Sequence, residues 1–434
     1  MARAGLLALT ALLLWVRPLA AEPAALGPSQ YADEPQLLAW LWQHSPSVVA
    51  ARADADLAGA AVVQAGLWQN PQLDAMWGTI PIGQTTPAGL SNSLGKVSNL
   101  GMGLSQQFEP GKRPARKALA QSSVELARMN ARDVLNGEFF GLLEAIGRVA
   151  LTQVRQASFE ALVTTSSELL ELQRARAGKG DVAGVDVTRA EVEHQRLLAQ
   201  WSGLDRQLVD ALAGCAALVG TSCQPFADSA AARTWLQEQH AVELPSEWSE
   251  SVANRRSDIV VLQAQAEQAR RLGALADTKR IPDVSARLGY LWDNFVISGN
   301  QQQSISLGVG VSLPVLDAGQ ADHFASRATL DRTRTLRAAI EASSKQAFAG
   351  AVRRLQSGKA REQALDDAIA RAAKVVEVMN DMHRRGAISL TELILARQAW
   401  RSIVLERLDL EENAFDAVLV ARRSTAALPR WSPP

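Results

Sequence analysis

The chain has 434 residues, enough for two or three ordinary domains. Lys+Arg and Asp+Glu number 45 each, so net charge gives no reason to expect nucleic acid as a partner. Aromatics make up only 5%, which suits helices packed through small side chains better than one thick core.

Residues 1–21 combine Arg3, an apolar run from Leu6 to Val16, and Leu19-Ala20-Ala21 ahead of Glu22. This reads as a secretory signal peptide. An anchor helix is the alternative, but Arg17 and Pro18 end the run too early to span a bilayer. No later stretch approaches 18 uncharged apolar residues, so no further membrane helix is expected. Glu22 to Pro35 reads as an extended arm, and Gln36 to Leu67 as a helix stopped by Asn70-Pro71.

A strand-like segment follows, with Leu73, Ala75 and Trp77 on one face. Residues 80–98 read as a loop. Leu100, Met102, Leu104 and Phe108 then alternate with Gly101, Gly103, Ser105 and Gln107. After the joint Glu109-Pro110-Gly111, Lys112 to Arg176 carries no proline beyond Pro114 and is rich in Ala, Leu, Glu, Gln and Arg. Such residues lose little side-chain entropy in a helix. Leu135, Leu142 and Val149 sit seven apart, a coiled-coil spacing. The rod would be roughly 100 Å long. It ends at Ala177-Gly178-Lys179-Gly180-Asp181 and returns as a helix from Val185 to Val219.

Gly220 to Trp248 reads as irregular, with short helical pieces forming a belt beside the rods. Cys215 and Cys223 are the only cysteines. In an exported chain they can bond, and two buried free thiols are the alternative. A left-handed cap at Gly220 would turn the chain back and bring them within disulfide range, so the bond is expected.

The second half repeats the first. Val284, Ala286, Leu288, Tyr290 and Trp292 share one face; after a polar loop over Asn294 to Gln302, Ile305, Leu307, Val309, Val311 and Leu313 do the same. A second proline-free rod, Gln320 to Arg385, turns at Gly386 and returns over Ser389 to Ala426. Pro71 matches Pro282, and Val182 to Ala190 lies over Ile388 to Ala396. The chain therefore divides into a first repeat (22–220), a linker (221–248), and a second repeat with a C-terminal tail (249–434).

Strands of this length, apolar on one face and small or polar on the other, are what a membrane β-barrel requires. A soluble sheet with one wet face gives the same alternation. Four strands cannot close a barrel, and an open sheet in lipid leaves its edges unsatisfied. If these strands span a membrane, several chains must share one barrel.

Enzyme motifs are missing. His44, His194, His240, His323 and His383 are scattered, and no two have helical metal-ligand spacing. Gly308-Val309-Gly310 lacks the rest of a dinucleotide fingerprint, and there is no Gly-x-Ser-x-Gly elbow. No catalytic, cofactor or metal residues are expected, and His194 and His323 are expected to face solvent.

The signal peptide, the duplicated helix–strand–strand–long helix–helix unit, the prolines before the strands, and the turns at Gly180 and Gly386 together resemble the TolC-like outer membrane efflux family. The resemblance covers nearly the whole mature chain. It implies a mainly α fold with a membrane β-barrel: a homotrimer whose 12-stranded barrel stands over a long α-helical periplasmic tunnel. It also implies export without chemistry in a Gram-negative outer membrane, alongside a periplasmic adaptor (membrane fusion) protein and an inner-membrane RND-type pump. Gln106-Gln107-Phe108-Glu109-Pro110-Gly111-Lys112-Arg113 resembles the joint of the heavy-metal branch, pointing to metal cations as cargo. The second joint, Leu313 to Gly319, is shared with drug exporters, which leaves organic compounds as the alternative cargo. The competing function is a soluble periplasmic coiled-coil adaptor or scaffold.

By this resemblance Gly178, Gly180, Asp181, Arg385 and Gly386 form the tip that meets the adaptor, although a glycine cap alone explains each turn. Arg174, Arg176, Arg384 and Arg385 would then only complement helix dipoles. Asp186 and Glu392, matched by the repeat, would line the narrow end of the tunnel. Ser389-x-x-Glu392 is also a capping box, and Arg189 and Leu395 stand where the family tends to carry a second acid.

Overall fold

The computed structural model describes residues 25–78, 99–294 and 301–425. The signal segment and the loop read over 80–98 lie outside these residues, as does most of the loop after Asn294. In chain order the elements are α1 (Pro28–Tyr31), α2 (Glu34–His44), α3 (Pro46–Gly66), β1 (Gln72–Gly78), β2 (Asn99–Phe108), α4 (Lys112–Gly178) and α5 (Gly184–Val219). They continue with α6 (Ser229–His240), α7 (Glu250–Ala253), α8 (Ser257–Thr278), β3 (Asp283–Asp293), β4 (Gln303–Ser312), α9 (Gln320–Arg384) and α10 (Leu390–Thr425). The returning helices α5 and α10 are each 36 residues long.

Two expectations differ from what is seen. The single helix read from Gln36 to Leu67 is broken at Ser45, which is extended (φ −63°, ψ 123°), because Pro46 starts a new helix. A proline disfavours helical backbone in the residue before it and has no N–H to give. The arm read as extended over Glu22 to Pro35 holds α1, with Pro28 at its first position. Among the helical pieces expected in the belt is the 12-residue α6, started by the Asp228 carboxylate accepting from the Ala231 N–H at 2.7 Å.

The chain forms two compact units. One comprises residues 1–40, 141–241 and 372–402; the other comprises 41–140, 242–371 and 403–434. In the first unit Leu142, Leu143, Ile146 and Ala150 bury one stripe of α4 completely. Each large apolar side chain so buried contributes about 1.5–3 kcal/mol. The belt segment packs here too. Tyr31 is buried, its hydroxyl donating to Gln224 O at 2.7 Å, and Trp235 Nε1 donates to Tyr31 O at 3.0 Å. Burial pushes the Tyr31 phenol up to about 12. Gln153 of α4 pairs with both backbone groups of Phe226, and Cys215 and Cys223 are bonded with their Cα atoms 6.0 Å apart.

The second unit holds the sheet. Its strands run β1-β2-β3-β4, all neighbours antiparallel. Phe348, Ala351 and Ala421 form a core where α9 and α10 meet, joined by Leu244 and Trp248. The small side chains allow the close helix approach that the alanine-rich composition suggests.

Candidate functional site

Register decides what the sheet can do. Leu73, Leu104, Leu288 and Leu307 stand side by side across all four strands. The next row up is Ala75, Met102, Tyr290 and Ile305, followed by Trp77, Leu100 and Trp292. Below lie Gln106, Ala286 and Val309, the one polar member standing next to the joint, then Phe108, Val284 and Val311. All share one face, and Leu307 is 83% exposed. From Phe108 to Leu100 this band extends about 27 Å along the strand. A membrane barrel presents an apolar band about 25 Å tall with aromatic residues at both rims. Here Trp77 and Trp292 mark one rim, while Phe108 and Trp68, in edge-to-face contact at 6.4 Å, mark the other.

The opposite face is mostly small and polar, with Gly103, Gly289 and Ser306 in one row and Ser105 and Gly308 in the next, although Met76 and Leu291 flank Gly101 in a third. Arg287 pairs there with Asp74. A soluble sheet would turn its apolar face to a core; this one leaves that face open. The outer edges of β1 and β4 have no strand beside them among the described residues.

The joint below the sheet is held by its own polar residues. Lys112 Nζ meets Asp283 Oδ1 at 2.6 Å, and Gln107 donates to the other oxygen of that carboxylate at 3.1 Å. Arg113 Nε donates to Gly66 O at 2.6 Å and its guanidinium lies over the Trp68 ring. Glu109 accepts from Gln69 and Arg116. These residues therefore have work in the joint itself.

In the first unit the two turns share one geometry. Gly180 (φ 81°) donates to Ala177 O while Asp181 donates to Arg176 O; Gly386 (φ 76°) donates to His383 O while Ala387 donates to Met382 O. Both are Schellman motifs, whose left-handed residue is glycine because it carries no Cβ. Gly178, Gly180, Asp181, Arg385 and Gly386 are all exposed. The arginines do more than complement dipoles: Arg176 Nη1 donates across to His383 O at 3.1 Å, and Arg174 pairs with Glu191 at 3.0 Å.

Asp186 and Glu392 each sit in the first turn of a returning helix. Glu392 Oε2 accepts from the Ser389 N–H at 2.8 Å and from its hydroxyl at 2.9 Å, so the capping box forms. These bonds, the backbone one first, hold the exposed carboxyl below its usual range. Asp186 lies 3.7 Å from Arg189, whose Nη1 also donates to Thr391 at 3.0 Å and so ties the two helix starts together. Behind them, Leu169, Leu170, Ala190, Leu390 and Leu393 form an apolar cluster. A pocket of about 420 Å³ opens beside it, with Leu162, Val376, Arg397 and Trp400 among its walls.

Two histidines depart from expectation. His194 is half-buried with Nδ1 2.8 Å from Ser166 Oγ, and His323 is half-buried against Asp277. Neither faces solvent freely, because each finds a partner on a neighbouring helix. His383 is 4% exposed, with Gln173 beside it fully buried. Its place on an apolar seam was the only sign of this in the sequence. Among the described residues no group of three or more His, Cys, Asp or Glu could hold a metal ion.

No family model matches the chain, and no curated protein matches it either. Solved structures do. CusC, studied for the conformational changes that accompany folding and transmembrane channel formation, aligns with a TM-score of 0.73 at 13% identity, covering 94% of this chain and 98% of that one. The outer membrane protein VceC of Vibrio cholerae aligns at 0.67 with 18% identity, over 91% and 96%. The MtrE outer membrane channel of Neisseria gonorrhoeae aligns at 0.70 with 13% identity, over 93% and 91%. The chain has the fold of these outer membrane proteins along essentially its full length.

Proposed function

We propose that this chain is the outer membrane channel of a tripartite efflux system, a passive duct that performs no chemistry. One observation carries the reading: a four-stranded sheet with an open apolar band and, among the described residues, two edges with no strand beside them, on a chain with the fold of outer membrane channels. In lipid every backbone polar group must be satisfied, so the edges of β1 and β4 have to pair with other copies. The edges and the fold support a homotrimer, in which three chains would supply twelve strands.

The turns at Gly180 and Gly386 are then the end that meets a periplasmic adaptor, beyond which an inner-membrane pump of the RND type supplies the energy. Asp186 and Glu392 would ring the narrow end, where three chains bring up to six carboxylates around one axis. The joint Gln106 to Arg113 favours metal cations as cargo, and organic compounds are the second reading. A duct need not bind what it conducts.

Membrane fractionation with cross-linking tests the core of the proposal. The chain should stay with the outer membrane after a carbonate wash. Cysteines scanned along β4 at Ile305, Leu307 and Val309, each combined with Ala75→Cys, should give chain-to-chain cross-links up to a trimer. A carbonate-soluble monomer would favour the periplasmic scaffold instead.

A further inference from the structure

Gln173, near the end of α4, and His383, near the end of α9, make a polar contact inside an otherwise apolar setting. Gln173 is 0% exposed and His383 4%. The Gln173 amide nitrogen lies 2.7 Å from His383 Nε2, and His383 Nδ1 lies 3.1 Å from Ile388 O, on the far side of the Gly386 turn. A carbonyl oxygen can only accept, so Nδ1 carries a proton. In the neutral ring Nε2 is then an acceptor, and the Gln173 NH₂ donates to it. The Gln173 amide oxygen is left buried without a partner. A second proton on the ring would make Nε2 a donor, and the amide would have to turn over to present its oxygen. One proton and half a turn of one amide separate the two states.

From α4, Arg176 faces His383 through its carbonyl, and Arg384 follows it on α9. The α5 and α10 residues in the adjoining cluster, Ala190, Leu390 and Leu393 with Val187 beside them, are apolar. Of the carboxylates on these elements, Glu191 pairs with Arg174, Asp186 with Arg189 and Glu392 with its own cap, while Glu377 and Asp381 stand on α9 itself. With Nε2 protonated, two donors would face each other in a buried setting, and a buried donor without an acceptor is costly. The repeat-matched positions are Met379 and Ala177, so the contact occurs once per chain and bridges the two turns.

We propose that Gln173 and His383 are positioning residues that fix the two helix turns against each other, and that protonation of His383 releases them. In the duct reading this makes the turn end, where a partner would dock, sensitive to the acidity of its compartment. The latch itself depends on that reading only for its consequence.

Hydrogen–deuterium exchange on the detergent-purified full chain, corrected for intrinsic rates, tests it. Amides around Gly180 and Gly386 in the wild type should lose protection as pH falls from about 7.5 to about 5, by at most about tenfold per pH unit for one linked proton. His383→Gln should show no such loss. Gln173→Glu should reverse it, because a carboxylate retains the imidazolium and holds the turns closed in acid. Protection that is independent of pH in the wild type overturns the proposal, as does a wild-type-like fall in His383→Gln. If His383→Gln does not fold, an identical fall in wild type and Gln173→Glu overturns it. Exchange needs neither bilayer nor pump, so a failure here leaves the duct reading standing, and a failure to insert leaves the latch standing.

Discussion

Arg287 on β3 reaches Asp74 on β1 by crossing the backbone of Gly103 on the strand between them. A Cβ at position 103 would stand 2.7 Å from the Asp74 carboxylate and 3.1 Å from the guanidinium, so only glycine leaves the passage open. Both side chains are about half exposed, and in water such a pair contributes no more than about 1 kcal/mol. Its larger effect is on the charge of the face opposite the apolar band.

If that face lines a conducting barrel, removing either partner exposes the other in every copy. Asp74→Asn should shift the reversal potential of purified channels in planar bilayers toward anions, and Arg287→Gln toward cations. Both shifts should shrink in about 1 M salt, where the Debye length is about 3 Å. Unchanged potentials in both variants at low salt would place this face off the conducting path.

Gly386→Val should separate docking from folding. A Cβ there would meet only the tip of Arg176 at 3.8 Å, so the penalty is conformational, about 1–2 kcal/mol for a left-handed residue. The variant should still assemble while export in cells is lost. Export that survives in a correctly assembled variant would show that the turn is not the contact surface.

Asp186→Asn combined with Glu392→Gln should reduce cation preference and conductance if these residues ring the narrow end. The cap has its own signature. Because the Glu392 carboxyl is held low in the folded chain, its contribution is present above the unfolded carboxylate value and lost as pH falls through the folded one. The thermal stability difference between Glu392→Gln and wild type should therefore vanish in acid. A double variant with wild-type selectivity and conductance would leave Glu392 only its role in the cap.

Denatured, unreduced protein should take up no thiol label, since Cys215 and Cys223 are bonded. Replacing both with serine should cost on the order of 2–3 kcal/mol, the value expected for so short a closed loop. Two labelled thiols in the unreduced protein would refute the bond.

How far these features could be read from the sequence depended on how many residues carried each signal. The strands were legible because Leu100 to Ser105 and Ile305 to Val311 keep a strict alternation with glycine and serine, and the rods because proline is missing over dozens of residues. The register that aligns Leu73, Leu104, Leu288 and Leu307 followed from that alternation only once the strands were paired. The break at Ser45 was missed because the alanine-rich run on either side outweighed Pro46. Gln173 and His383 were not legible as a pair: each is a single residue on a helix with a strong apolar pattern, and what joins them is the meeting of α4 with α9. The Glu392 cap was readable, since Ser389 and Glu392 are three residues apart on one helix start, whereas the Arg189–Thr391 contact depends on two turns that only folding brings together.

The unpaired margins of β1 and β4 also bear on how the protein matures. If, as proposed, the sheet is completed only beside identical sheets, the chain cannot finish folding alone, and its last step is of higher than first order in newly made chains. Maturation should therefore slow sharply when synthesis is throttled, and the waiting chains should be the protease-sensitive ones. Pulse-chase labelling at two expression levels would reveal this: a maturation half-time unaffected by expression would mean that each sheet is completed by something other than its own copies.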